Sequence, residues 1–333
     1  MRKIRIAQIG TSVNGHGFQI WNSIKKQSDI FEIVGYALPE GEREKYPTRM
    51  NEFDGYTEMT VDEILNDPTI EAVTVETEEK YLTKYSQMAA EHGKHIHMEK
   101  PGGTDLEAFS ELIETVKNKK CIFHTGYMYR YNPMVIKLLE RIKNGELGEI
   151  ISVEAEMNCI HSDSVRTWLA QYRGGMMFYL GCHLIDLIVS IMGTPERVIP
   201  MNRRSGLDGI TSEDAGMALL EYKTGLSVAR TSDTQLGGYA RRKLVVTGTK
   251  ATVELCPLEM TRNDGGMYTK QTEYTNKKWT DLGVTTESDP YDRYDGMMAS
   301  FAAMVRGEKE NPYSYEYELN LYKLILQSCG KEI

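Results

Sequence analysis

The first third of the chain alternates two hydrophobic rhythms. Short apolar runs, "KIRIAQI", "FEIVGYAL", "IEAVTVE", "HIHM" and "CIFHTGY", read as strands. Between them lie segments with apolar residues at helical spacing. "GFQIWNSIKKQ" places Phe18, Ile20, Trp21 and Ile24 on one face. "TVDEILND" carries a capping signature, Thr60 with Glu63 three residues later. "YLTKYSQMAAEHG" closes on Gly93, and "DLEAFSELIETVKNKK" starts after Asp105. Strands separated by helices predict a doubly wound parallel sheet of the Rossmann type.

Past about residue 125 the rhythm changes. "NPMVIKLLERIKNGELG" reads as a helix with Pro133 at its start and Gly145 at its end. Extended runs follow in "EIISVEAEMNCI", "RVIPMN", "AGMALLEYKTGLSVARTSD", "RRKLVVTGTKATVEL" and "MYTKQTEYT", several joined by hairpin-like turns. One helix, around "MFYLGCHLIDLIVSIMG", interrupts them, and two helices close the chain. The fold class predicted is α/β: a dinucleotide-binding Rossmann domain over residues 1–122, then an α+β domain over 123–333 with an open, mostly antiparallel sheet, its last helix free to pack back.

Composition narrows the partners. The formal charge of −9 argues against nucleic acid, whose readers carry a basic excess. No stretch approaches the roughly 18–20 apolar residues of a membrane span, and the apolar run before Gly10 is too short for a signal peptide. Five scattered cysteines without a CxxC pair fit free thiols in a reducing cytoplasm. His92, His95 and His97 lack metal-ligand spacing, so no metal is expected.

Two stretches carry candidate chemistry. "IRIAQIGTSVNGHGFQIW" has the layout of a dinucleotide-binding turn: a strand, Gly10 for the tight turn, then a helix whose free N–H groups suit a pyrophosphate. Ser12 replaces the middle glycine of the usual pattern, and Asn14 and Gly15 complete a longer loop. The ribose-binding acid belongs at the end of the second strand. Leu38 and Pro39 stand there instead, Glu40 is late, and Arg43 and Lys45 follow, so NAD and NADP both stay open. In "HIHMEKPGG", Glu99 and Lys100 follow a strand directly. A lysine at the carboxyl end of a parallel strand points into the ligand crevice, where it can hold a substrate hydroxyl and steady an alkoxide. Pro101 biases Lys100 toward an extended or turn conformation and permits a cis bond.

"MEKP", the degenerate glycine turn, "RGGMMFYLGCHLIDLI", "GYMYRYNP" and the closing "PYSYEYELNLYKLILQSCGK" together make the chain similar to the glucose–fructose oxidoreductase, inositol dehydrogenase and rhizopine-catabolism (Gfo/Idh/MocA) family over nearly its whole length. The resemblance implies an NAD(P)-dependent enzyme. Lys100 matches the lysine that bonds the reacting hydroxyl, and His183 the histidine that moves its proton. Asp186, one helical turn on, shares a face with His183 and is placed to orient it, to pack or to cap. Where the family usually has an Asp, this chain has Tyr179, a poor base with a reference pKa of about 10. After "IEAVTVE", Thr77 survives from a Thr-Pro-Asn/His turn, but Glu78, Glu79 and Lys80 replace the rest. The cofactor contacts implied are thus Gly10, Ser12, Asn14, Gly15, Leu38, Thr77, Glu99 and Lys100, around an altered nicotinamide site.

Tyr127, Arg130, Asn132, His161, Arg166, Trp168, Tyr179 and Asp186 are the candidates for contact with a small sugar or polyol; packing is the competing reading for Trp168, and bracing for Arg130. The resemblance also implies a homodimer or homotetramer through the open sheet face. The leading expectation is a dehydrogenase acting on a secondary hydroxyl of a sugar, cyclitol or related polyol. Two alternatives remain: a glycoside-cleaving enzyme that uses NAD for transient oxidation, and a redox-inactive ligand-binding homologue, motivated by Ser12, Leu38 and Glu78.

Overall fold

The computed structural model describes residues 2–263 and 265–333. They divide into two compact units. The first takes the chain up to Met128 together with Tyr294–Tyr322; the second takes Tyr129–Arg293 and Lys323–Ile333.

The first unit is built on five parallel strands, β1 (Ile4–Ile9), β2 (Phe31–Ala37), β3 (Ala72–Val75), β4 (His95–Met98) and β5 (Phe123–Thr125), in the order β2-β1-β3-β4-β5. The connecting helices are α1 (Gly17–Lys26), α2 (Glu42–Lys45), α3 (Val61–Asn66), α4 (Glu79–Glu91) and α5 (Leu106–Lys119). A parallel sheet covered on both faces needs apolar strands, and Ile4, Ile6, Ala7, Ile9, Ala72, Val73, Val75, Ile96 and Met98 are all fully buried. Ile20, Trp21 and Ile24 are the buried stripe of α1. The capping box of α3 forms as the sequence implies, and Asp105 accepts the Ala108 N–H at 3.1 Å to start α5. The order of strands and helices sends every β-to-α loop, including the glycine turn and the Glu99–Lys100 loop, to the carboxyl end of the sheet.

In the second unit, α6 (Pro133–Lys143) leads into β6 (Ile150–Asn158), α7 (Asp163–Leu169), a π-helical turn over Met177–Gly181 and α8 (Cys182–Met192). The remaining strands are β7 (Arg197–Pro200), β8 (Ala215–Glu221), β9 (Leu226–Ser232), β10 (Lys243–Gly248), β11 (Thr252–Leu255), β12 (Met260–Thr261), β13 (Met267–Tyr268), β14 (Lys270–Tyr274) and β15 (Val284–Glu287). Seven of them join β6 in one eight-stranded sheet ordered β15-β14-β11-β10-β6-β9-β8-β7. Every pairing in it is antiparallel except β6 with β9. On β6, Val153, Ala155 and Met157 are buried while Ser152, Glu154 and Glu156 face the other way. Helix α8 packs on this sheet and is apolar nearly all round, as a helix buried on all sides must be. Two helices end the chain: α9 (Asp295–Val305), in the first unit, and α10 (Tyr315–Ser328), which begins there and finishes in the second.

Asn132 departs from its expected role as a substrate contact. Its Oδ1 accepts the Met134 N–H at 2.9 Å and caps α6, while the two hydrogens of Nδ2 are shared among the Leu258 carbonyl, Thr269 and Tyr291, all within hydrogen-bond reach. Its hydrogen-bonding capacity is spent on holding the start of α6. Among the described residues, no helix is long and apolar enough to cross a membrane.

Candidate functional site

The candidate residues fall into two sets, one in each unit. In the first unit the glycine turn connects β1 to α1. Gly10 has φ +89°, and a Cβ there would lie 2.6–2.8 Å from Thr77 Cγ2, N and Cα. Glycine is therefore required where the turn crosses the end of β3. Gly15 is looser: a Cβ would meet Glu99 Cγ at 3.5 Å, ordinary contact. The tight approach expected of the last glycine in the pattern belongs to Gly17, where a Cβ would sit 3.0 Å from Glu76 Cβ and 3.1 Å from Thr11 Cα. The longer loop thus moves that role two residues along. Ser12 donates its backbone N–H to the Glu76 carbonyl at 2.8 Å, and Asn14 is half-buried. Arg49 braces the same turn by donating to the Ser12 and Val13 carbonyls at 3.4 and 3.1 Å.

This turn fits a dinucleotide. Thr11 Oγ1 is buried there without a hydrogen-bond partner, and α1 begins with no acidic residue in its first turn and no side-chain cap. Those are the free donors that a pyrophosphate takes. The acid missing at Leu38 appears from further along. Glu42, 1% exposed, accepts the Thr11 N–H on Oε2 at 2.8 Å. Burial pushes its carboxyl up to about 8, opposed by that N–H bond. Glu40 is engaged elsewhere, with Lys84 and Tyr85 at 2.7 Å each, and Arg43 is paired with Glu58. Sequence spacing alone hid Glu42: the chain turns at Glu40 and Gly41, both with positive φ, and returns to the glycine turn.

Lys100 ends the β4 loop, 1% exposed, with Nζ 3.6 Å from Glu99 Oε1 and a cis bond to Pro101. Glu99 is equally buried and lies 3.0 Å from His16 Nδ1. Burial opposes its ionisation, but His16 and Lys100 hold its carboxyl below the usual range. Tyr127 donates to the Pro101 carbonyl at 3.4 Å, so it supports this loop. Two further buried carboxylates were not foreseen as site residues. Glu79, first residue of α4, has neither oxygen hydrogen-bonded; burial raises it to about 7 against the pull of Lys100. Glu76 lies 3.6 Å from His97 Nε2, and burial with the nearby Glu99 charge raises it well above the ordinary carboxylate range. His97 Nδ1 in turn meets His124 Nδ1 at 2.7 Å, and burial lowers His97 to about 4.

In the second unit, the helix that carries "GCHLID" begins with the π-helical turn, which contains Tyr179. His183 is 1% exposed and sits edge-on to the Tyr129 ring, with centroids 5.3 Å apart. Asp186 is bound bidentately by Arg130: Nε meets both oxygens at 3.0 Å and Nη2 meets Oδ1 at 2.7 Å. This pair accounts for two candidates expected to touch substrate. Arg166 is likewise buried and faces carboxylates, Asp208 at 2.7 Å, Asp214 at 3.6 Å and Asp233 at 3.7 Å. His161, Trp168 and Tyr179 come together as a half-buried aromatic wall, with Tyr179 centroids 5.7 Å from His161 and 5.5 Å from Trp168.

Comparison with known proteins agrees with this arrangement. Residues 4–127 match the model of an oxidoreductase family with an NAD-binding Rossmann fold. Residues 135–254 match the Gfo/Idh/MocA C-terminal domain. An uncharacterized oxidoreductase of Rhizobium meliloti is 27% identical over 272 residues, 79% of this chain and 78% of the relative. Two solved structures share the fold. A putative NADPH-dependent oxidoreductase from Desulfitobacterium hafniense has a TM-score of 0.80 at 20% identity, covering 99% of this chain and 95% of that one. A levoglucosan dehydrogenase, solved with NADH and levoglucosan, has a TM-score of 0.80 at 18% identity, covering 100% and 98%. Both halves of the chain thus match models of one family, and the protein belongs to the Gfo/Idh/MocA oxidoreductases, with an NAD-binding Rossmann fold in its first unit.

Proposed function

We propose that the protein is a dehydrogenase of a secondary hydroxyl on a sugar, cyclitol or related polyol, and that it prefers NAD to NADP. The observation that carries the reading is Lys100: a lysine buried at the carboxyl end of a parallel strand, beside Glu99. A buried ammonium is kept charged only by partners such as Glu99, and the crevice end of the sheet is where such a charge does chemistry. The sugar dehydrogenase among the structural relatives supports the substrate class.

The cofactor, when bound, supplies the hydride acceptor. Gly10, Ser12, Asn14, Gly15 and Thr77 would hold it at the turn, with Leu38 beside the adenosine end. Glu42 would accept the ribose hydroxyls. Above about pH 8, where Glu42 ionises, a 2′-phosphate would bring its negative charge toward a carboxylate, while Arg43 is already committed to Glu58. Lys100 holds the substrate oxygen and lowers the cost of charge developing on it. His183 accepts the hydroxyl proton, a task for which imidazole is suited near neutral pH. Tyr179 and Trp168 give the sugar ring an apolar face, and Tyr179 adds a hydroxyl donor. Arg130 and Asp186 fix the helix that carries His183, and Arg166 fixes α7 beneath Trp168. We also propose a homodimer or homotetramer that covers the open face of the sheet, where Met217, Leu219, Val228 and Val245 lie among the charges of Glu154, Glu156, Arg230 and Lys243.

The test is titration with NADH and NADPH by nicotinamide fluorescence, then turnover on a polyol panel with Lys100→Met beside the parent. Removing one such stabilising group costs about 10²–10³-fold in kcat. A Lys100→Met protein with near-full turnover overturns the assignment. Cofactor that co-purifies and does not exchange favours the glycoside-cleaving alternative, and failure to bind either nucleotide favours the ligand-binding one.

A further inference from the structure

The second unit carries an open surface pocket of about 440 Å³ lined by Ala170, Tyr172, Arg173, Arg204, Thr211 and Glu213. Its size is that of a small-molecule site. Its chemistry is unusual for this chain. The formal charge is −9, and arginine after arginine is satisfied by a carboxylate: Arg130 by Asp186, Arg141 by Glu273, Arg166 by Asp208, Arg242 by Glu259. Arg173 and Arg204, both exposed, have no hydrogen-bond or ion-pair partner among the described residues, and both line the same pocket. The one acid in the wall, Glu213, is tied back by the Gly174 N–H at 2.5 Å. The Arg173 guanidinium passes close to Gly330, where an added Cβ would lie 3.6 Å from Nη2. Two guanidiniums and the Thr211 hydroxyl present several donors and a net positive charge, the arrangement that binds carboxylate or phosphate oxygens bidentately.

One lining residue, Tyr172, links the pocket to the aromatic wall. Tyr172 packs edge-on against Trp168 with centroids 5.0 Å apart, and Trp168 packs edge-on against Tyr179 at 5.5 Å. We propose that Arg173 and Arg204 form an oxyanion subsite for the phosphate or carboxylate of an acidic sugar, whose ring lies along Trp168 and Tyr179. The sugar rests on the dehydrogenase reading above; the anion does not.

The test is calorimetric titration of the full chain, without turnover, with inorganic phosphate and then with glucose 6-phosphate, glucuronate and glucose. Phosphate is expected to bind, and Arg173→Gln and Arg204→Gln each to weaken it about ten-fold or more, the worth of a charge-assisted contact. Arg173→Lys keeps the charge but loses the fork, and should recover only part of the loss. Arg241→Gln, at an exposed and equally unpaired arginine outside the pocket, should change nothing. The acidic sugars should bind about ten-fold or more tighter than glucose, and the two pocket variants should erase that difference. Absence of phosphate binding, an equal effect of Arg241→Gln, or glucose binding as tightly as its phosphate overturns the proposal. If the proposal fails while a neutral polyol is oxidised in a Lys100-dependent way, the dehydrogenase reading stands and only the acidic substrate is lost.

Discussion

Asp186→Ala should unfold the second unit more readily rather than impair chemistry alone. The Arg130 and Asp186 side chains are 2% and 1% exposed, and three short nitrogen–oxygen contacts join them. Removing the carboxylate leaves a guanidinium in the core beside α8 with its counter-charge gone. Breaking a buried pair from one side costs about 3–5 kcal/mol. For a unit of this size each kcal/mol moves the midpoint by about 2–4 °C, so a shift on the order of 10 °C is expected. The assay is urea and thermal unfolding followed by far-ultraviolet circular dichroism, with Arg130→Met and the double variant Arg130→Met/Asp186→Leu completing a cycle. The double variant should recover most of the stability, because apolar residues of similar volume can replace a buried pair at little cost. A loss below about 1 kcal/mol in Asp186→Ala, the range of an exposed pair, would refute the reasoning.

The other expectations concern buried carboxylates in the first unit. Glu42→Gln keeps the shape and removes a carboxyl that ionises as pH rises through about 8; above that pH NADH affinity should fall about ten-fold and the preference over NADPH should narrow, both read by fluorescence titration. Unchanged selectivity would remove Glu42 from the cofactor site. Glu79 is raised to about 7 in the folded chain, above its unfolded value. Its contribution is therefore present in full at acid pH and lost as pH rises through about 7, while the unfolded chain ionises freely. Glu79→Gln should be more stabilising at pH 8 than at pH 5, by on the order of 1–3 kcal/mol in urea unfolding; a gap that does not vary with pH would contradict the burial argument.

Much of the fold is legible because it rests on local signals. The strands of the first sheet are written as apolar runs, the capping box at Thr60 and the cap at Asp105 as residue pairs, and both are found in place. The extended run "EIISVEAEMNCI" becomes β6, where Val153, Ala155 and Met157 are buried and alternate with Glu154 and Glu156. Long-range partnerships are not written this way. Arg130 and Asp186 are separated by more than fifty positions, and no spacing rule joins them. Glu42 reaches the glycine turn only because the chain reverses at Glu40 and Gly41. The apolar composition of α9 says that it packs, not that it packs with the first unit. Likewise, nothing in "MFYLGCH" distinguishes a π-helical turn at Tyr179 from ordinary helix.

The single parallel pairing in the large sheet has a consequence for how the chain is made. Strand β6 sits between β10 and β9, joining a ladder of β10, β11, β14 and β15 to a meander of β7, β8 and β9. It is also the first of these strands to leave the ribosome. Val153 meets Ser227, 74 residues later, and Val246 later still. At about 5–20 residues per second, β6 waits roughly 4–15 s with both edges bare before its first neighbour is even synthesised. Neither hairpin stack can be joined to the other until that strand is claimed from both sides. Assembly of this sheet is therefore gated by its oldest strand, and a nascent chain arrested between β6 and β9 should be the species that chaperones hold.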